Sequence, residues 1–128
     1  MAFANLDHPN ESVDTSNDSI VIMKYLDGIE GGCTLDVTGF VNPEIKAGHI
    51  VIVADATKQR KPMPVDGDEY DDLPKNHSYK GVTVATVKTS DPRVGVMTRG
   101  KVNVEASPYP VTEEMIEALH RIEFTKDE

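Results

Sequence analysis

The residues with the most obvious chemical potential form an acidic run in the middle of the chain. Within Val65–His77, carboxylates stand at Asp66, Asp68, Glu69, Asp71 and Asp72. A calcium-binding EF-hand loop needs acids at alternate positions, Gly at position six and Glu at position twelve. Counting from Asp66, Gly67 is the second residue and His77 the twelfth. The pattern therefore predicts a solvated acidic loop, and we expect no metal ion and no cofactor.

The histidines and the single cysteine form no recognisable catalytic or metal-binding pattern. His8, His49, His77 and His120 are too far apart for a helical zinc site, and Cys33 has no second cysteine beside it. No serine stands in a G-x-S-x-G motif, and no glycine-rich loop opens a helix. We therefore predict no catalytic residue, and expect a binding protein rather than an enzyme.

The charge balance excludes some classes of binding partner. Among 128 residues, 13 Lys and Arg oppose 22 Asp and Glu, which gives a net charge of −9. Such a surface repels phosphate backbones and anionic lipid headgroups. No apolar run approaches the roughly 20 residues of a membrane span, and Met1–Ser19 lacks the apolar core of a signal peptide. We expect no nucleic acid partner, no membrane contact, and synthesis in a cytoplasm.

Short strands dominate the elements that must hold these side chains. Strands are predicted by β-branched runs or by alternation at Ile20–Leu26, Cys33–Val41, His49–Ala54 and Val82–Val87. The consecutive apolar residues of His49–Ala54 predict a strand covered on both faces. Val94–Glu105 is interpreted as a hairpin that turns at Arg99–Gly100.

One helix is predicted late in the chain. Thr112 is a suitable N-cap, acids occupy the first turn, and apolar residues recur at helical spacing over Glu113–Arg121. A short strand is expected at Ile122–Phe124. The fold class is therefore mainly β: a small β-barrel or sandwich with one late short helix and an extended N-terminal arm.

Residues 1–19 form that arm, and residues 20–128 form a single β-rich domain. Asn, Asp, Ser and Pro dominate the arm, in which only Phe3, Leu6 and Val13 are large apolar anchors. Two interpretations stay open. The arm is either an unstructured terminus or a segment that lies on a neighbouring subunit, with Phe3 and Leu6 as pegs.

Three later segments follow one another in a familiar order. They read IKAGHIV at Ile45–Val51, YKGV at Tyr79–Val82 and VGVMTRGKVN at Val94–Asn103, and the late helix and Ile-rich end at Ile116–Phe124 follow. This order is similar to that of small decoration and head-fibre proteins of tailed-phage heads. The resemblance covers about Ile45–Phe124. The chain departs from the pattern in its Asn/Asp-rich arm and in its acidic insert at Asp66–Asp72.

The resemblance implies a structural virion protein on the capsid exterior. It would bind the major capsid protein, stabilise the shell and assemble with itself, commonly as a homotrimer. The capsid-contact arm would use Phe3, Leu6, Val13 and Ile20, and candidates for the subunit interface are Ala47, Gly48, Arg99 and Gly100. Two alternatives remain: the shell-bound base of a head fibre or another virion attachment protein, which would hold a fibre chain, and a cellular β-barrel module that binds proteins.

Overall fold

The computed structural model describes residues 18–29 and 32–125, with residues 18 and 19 described in backbone only. Strands predominate and one short helix lies late in the chain, which confirms the mainly β class. The described strands form no closed barrel, and the arrangement is consistent with a sandwich-like class. The elements are, in chain order, α1 (Asp18–Val21), β1 (Ile22–Gly28), β2 (Cys33–Thr34), β3 (Glu44–Ile45), β4 (Ile50–Ala54), β5 (Arg60–Pro62), β6 (Val65–Asp66), β7 (Glu69–Tyr70), β8 (His77–Thr83), β9 (Val87–Lys88), β10 (Arg93–Val94), β11 (Val96–Asn103), α2 (Glu113–Ala118) and β12 (Ile122–Thr125).

One sheet organises the described chain. Its strand order is β1-β11-β8-β4-β5, and β12 pairs in parallel with β11. Ile50 and Ile52 of β4 belong to a core cluster with α2, whereas Val51 between them belongs to a second cluster with Leu35 and Val96. Because successive strand residues point to opposite faces, β4 is covered on both sides, as its consecutive apolar residues predict.

The predicted hairpin at Val94–Glu105 is wrong. β11 runs without a turn from Val96 to Asn103, and Arg99 and Gly100 lie inside it. The glycine has a packing role instead, since a Cβ at residue 100 would overlap the carbonyl oxygen of Lys24 in β1. Gly100 thus permits the close approach of two paired strands. In the sequence, a glycine with this role looks the same as a glycine in a turn.

Other predicted bounds shift by a few residues. The strand expected at Ile20–Leu26 begins at Ile22, because Asp18–Val21 forms the short helix α1. The strand expected over Cys33–Val41 is regular only at Cys33–Thr34. The acidic segment interpreted as a loop contains the small β6–β7 hairpin, whose Tyr70 is buried.

The late helix begins where its capping signal predicts. The Thr112 hydroxyl accepts a hydrogen bond from the Met115 backbone N–H at 3.3 Å, and Glu113 and Glu114 occupy the first turn. Met115 is buried in the core beneath the helix. The helix ends at Ala118, three residues before the predicted Arg121, and β12 follows as expected.

We predict that Thr112→Ala destabilises the fold by about 1 kcal/mol, because the Met115 N–H loses its acceptor. Urea denaturation of the free chain measures this change. Thr112→Ser keeps a hydroxyl oxygen at the cap and should stay close to the unmodified chain. An alanine variant as stable as the serine variant would show that this cap contributes nothing to the fold.

Candidate interaction surface

β1 is the open edge of the main sheet. Among the strands of residues 18–29 and 32–125, it stands at one end of the order and pairs with β11 only. Five consecutive residues, from Met23 to Asp27, are exposed in it. By contrast, Ile50, Val51 and Ile52 of the interior strand β4 are all fully buried. β1 carries the charged residues Lys24 and Asp27 and lies at the end of the sheet order, whereas β4 is apolar throughout and lies inside it.

An apolar surface follows from this placement. Six large apolar side chains are exposed among the described residues, and four of them fall within residues 20–26. We call these four the edge surface: Ile20, Met23, Tyr25 and Leu26. Tyr25 is 52% exposed and Leu26 53%. The four residues are close in sequence on α1 and β1, and exposed apolar residues at a sheet edge are typical of sites that bind another protein.

The backbone of β1 is irregular along this edge. Its pairing with β11 shifts register between Ile22 and Lys24, between Tyr25 and Asp27, and between Asp27 and Gly28. Such bulges increase local twist and shorten the stretch on which a further strand can pair regularly. A partner at this edge therefore depends on the apolar side chains as well as on main-chain hydrogen bonds.

The predicted contact residues fall into three groups. Phe3, Leu6 and Val13 lie outside the described residues, whereas Ile20 is part of the edge surface. Ala47, Gly48 and Gly100 are buried and make contacts within the chain: the Ala47 N–H donates to the Thr86 hydroxyl at 3.0 Å and the Gly48 N–H to the Thr83 carbonyl at 2.8 Å. Of the four interface candidates, only Arg99 is exposed. The arm contact and the subunit interface both stay predictions.

No protein-family model, curated protein or solved structure matches the chain. The similarity to phage head proteins therefore stays a prediction based on the residues that carry it.

In residues 18–29 and 32–125, no group of three or more His, Cys, Asp or Glu side chains is arranged to hold a metal ion. None of the helices in this part of the chain is long and apolar enough to cross a bilayer. Burial raises the pKa of the Cys33 thiol, partly opposed by the nearby Arg60 charge. A raised pKa reduces the thiolate fraction that nucleophilic chemistry requires.

A buried histidine contacts three aromatic rings. His49 lies edge-on to Phe40, Tyr70 and Tyr109, with ring centroids 5.5, 5.3 and 5.6 Å away. Its Nε2 lies 2.9 Å from the Met63 carbonyl oxygen. Since a carbonyl only accepts, Nε2 must carry the proton. Burial lowers the pKa of His49 to about 4, despite this hydrogen bond, so the ring is neutral at neutral pH.

We predict that acid destabilises the fold through His49. Its pKa falls from 6.5 to about 4 on folding, so the unfolded chain binds the extra proton first as the pH drops. The stabilisation is complete above pH ~6.5 and is lost as the pH falls through about 4, a change of about 3 kcal/mol. His49→Phe keeps the ring packing and removes the titration, and should flatten the dependence of unfolding free energy on pH. An equal slope in both chains would contradict this assignment.

A cleft lies beside this aromatic cluster, at the β5 side of the sheet. Its volume is about 200 Å³. We call it the proline cleft, and its walls are Asp36, Thr38, Gly39, Phe40, Val41, Lys61, Pro62, Pro64, Val65 and Pro74. Val41 is 86% exposed, the most exposed large apolar residue of the described chain. The sequence did not predict this site, because its walls come from three separated segments that share no local pattern.

Proposed function

We propose that the chain is a structural assembly protein that binds the outer surface of a tailed-phage capsid through the edge surface and stabilises the shell. The single observation that carries the proposal is the exposure of Met23, Tyr25 and Leu26 on a sheet edge that no other strand of the described residues covers. Burying such side chains against a partner is favourable by about 25 cal/mol for each Å² of apolar area removed from water. A chain with a net charge of −9 otherwise presents a strongly polar surface.

The nature of the partner rests on the resemblance to phage head proteins. The segments that carry the resemblance contribute β4, β8 and β11, which are consecutive neighbours in the main sheet. The pattern therefore describes one packed unit rather than scattered fragments. β1 flanks this unit next to β11.

Cementing requires only modest affinity at each contact. A shell offers many equivalent sites. A subunit that contacts two capsid proteins at once holds them together more strongly than either contact alone, because the two contacts are linked. The acidic surface suits this role, because it keeps unbound copies soluble and disfavours contact with phosphate backbones. The N-terminal arm with Phe3, Leu6 and Val13 is proposed to extend the contact beyond the β1 edge.

The proposal is tested by co-sedimentation. The purified chain is mixed with mature shells of the major capsid protein encoded in the same genome, and bound copies are counted at saturation. Saturable binding at a fixed ratio to capsid protein supports a cementing subunit. Saturation at only a few copies per shell would favour the head-fibre base, and absence of binding to shells of verified maturity would reject the capsid partner.

A second arm of this experiment measures shell stability. If the bound chain stabilises the capsid, the interior of decorated shells should become accessible to a fluorescent dye at a higher temperature than the interior of bare shells. Equal temperatures for decorated and bare shells would leave a binding protein without a stabilising role, and would contradict that part of the proposal.

A further inference from the structure

We propose that the proline cleft is the seat of the chain's own N-terminal segment, residues 1–17, with Phe3 and Leu6 as the side chains that enter it. In the free chain, the cleft covers the apolar side chains of Phe3 and Leu6 before any partner is bound. This role does not depend on whether the chain binds a capsid.

The chemistry of the cleft favours an apolar polypeptide side chain. Phe40, Val41 and Val65 line it together with Pro62, Pro64 and Pro74. Its volume of about 200 Å³ is below the roughly 300–1,000 Å³ of typical small-molecule sites. One or two side chains fit such a space, and no described residue covers Val41, which is 86% exposed. The occupant must therefore come from outside the described residues or from another molecule.

The described chain starts close to the cleft. The Val21 side chain lies against Gly48, where an added Cβ would overlap Val21 Cγ1. Gly48 adjoins His49, whose ring meets that of Phe40 at a centroid distance of 5.5 Å. Phe40 lines the cleft. A continuous path of contacts thus leads from α1, across the aromatic cluster, to the cleft wall.

The length of the preceding segment is sufficient. Seventeen residues precede Asp18, and an extended chain of that length spans up to about 56 Å. Phe3 and Leu6 can therefore reach the cleft with slack to spare. Because the segment is tethered to the same molecule, its effective concentration at the cleft is high, in the millimolar range for short flexible linkers. This favours the chain's own segment over one from a second copy in dilute solution.

Charge complementarity favours the same occupant. The segment carries Asp7, Glu11 and Asp14 and contains no Lys or Arg. Lys61 lines the cleft, and Lys58 and Arg60 precede it on β5 and in the turn before that strand. An acidic segment in the cleft brings its carboxylates close to the positive charge of Lys61.

The test uses the full chain and a spin label. In a Cys33→Ser background, Asn5→Cys places a nitroxide between Phe3 and Leu6, and amide signals are followed in a ¹⁵N-labelled sample. We expect the amides of Thr38, Val41 and Val65 to lose most of their intensity, whereas that of Leu26, on the opposite edge strand, keeps it. The pattern should not change on dilution. Undiminished signals around the cleft, or broadening centred elsewhere, would overturn the proposal.

Two controls separate the other occupants. A mixture of ¹⁵N-labelled chain without nitroxide and unlabelled chain with nitroxide should show no broadening; broadening there would mean that a second copy fills the cleft. Adding Phe3→Ser and Leu6→Ser should restore the cleft signals, whereas Ser12→Ala with Thr15→Ala should leave them broadened. Equal behaviour of the two pairs would show that Phe3 and Leu6 do not enter the cleft.

Discussion

Replacing Tyr25 and Leu26 together by aspartate should lower the affinity for shells by about 100-fold or more. Each side chain is about half exposed in the free chain, and truncation of a central apolar contact costs about 1–2 kcal/mol at a protein interface. Two such losses correspond to roughly 30- to 700-fold in the dissociation constant. Two carboxylates on a desolvated surface add a further penalty. Co-sedimentation at graded concentrations measures the change.

A matched variant separates this effect from general damage to the fold. Ile116→Asp removes another exposed apolar side chain, 39% exposed on α2 and outside the edge surface. Because exposed positions tolerate substitution within about 0.5 kcal/mol, both variants should unfold at urea concentrations close to that of the unmodified chain. If Ile116→Asp weakened binding as much as the double variant, the contact would not be specific to β1.

The largest effect on stability is expected at Gly81. An added Cβ there would overlap the Met97 carbonyl oxygen and lie 3.1 Å from its carbonyl carbon and from Val96 Cγ1. Met97 and Val96 belong to β11, which pairs with β8 at Val82 and Thr83. Gly81→Ala must therefore push two paired strands apart, and we expect a loss of about 3 kcal/mol or more. Urea denaturation of the purified variant gives the free energy of unfolding.

Gly39→Ala is the comparison for that measurement. Nothing lies within 4 Å of a Cβ added at Gly39, although its φ of 82° strains any other residue. The substitution should therefore cost about 1–2 kcal/mol from backbone strain alone. A Gly81 variant no less stable than the Gly39 variant would mean that β8 and β11 are not in the close contact described.

Local sequence signals predicted the elements that depend on local chemistry. The cap at Thr112 and the strand after the late helix could be predicted, because a hydroxyl acceptor and an apolar period act over a few residues. Burial of β4 on both faces followed from its unbroken apolar run. The prediction of a hairpin at Arg99–Gly100 was wrong. Gly100 is required by its contact with the Lys24 carbonyl of a strand distant in sequence, and the sequence does not distinguish it from a glycine required by a turn.

The candidate sites were harder to predict, since both depend on which strands become neighbours. The run Ile20–Leu26 is interrupted only by Lys24, and the place of β1 at the end of the sheet order leaves Met23, Tyr25 and Leu26 in solvent. The aromatic cluster joins positions 40, 49, 70 and 109, which no local period connects. The histidines were interpreted as scattered single residues, and the place of His49 at the centre of an aromatic cluster was not predicted.

Hydrogen exchange of the free and shell-bound chain tests the central claim most directly. The amides of Met23 to Asp27 lie on an exposed edge strand, and amides at such an edge exchange through openings of low free energy. We predict that shell binding slows their exchange more than that of any other described strand. Unchanged exchange in β1, with new protection at another surface, would contradict the assignment of β1 as the docking edge.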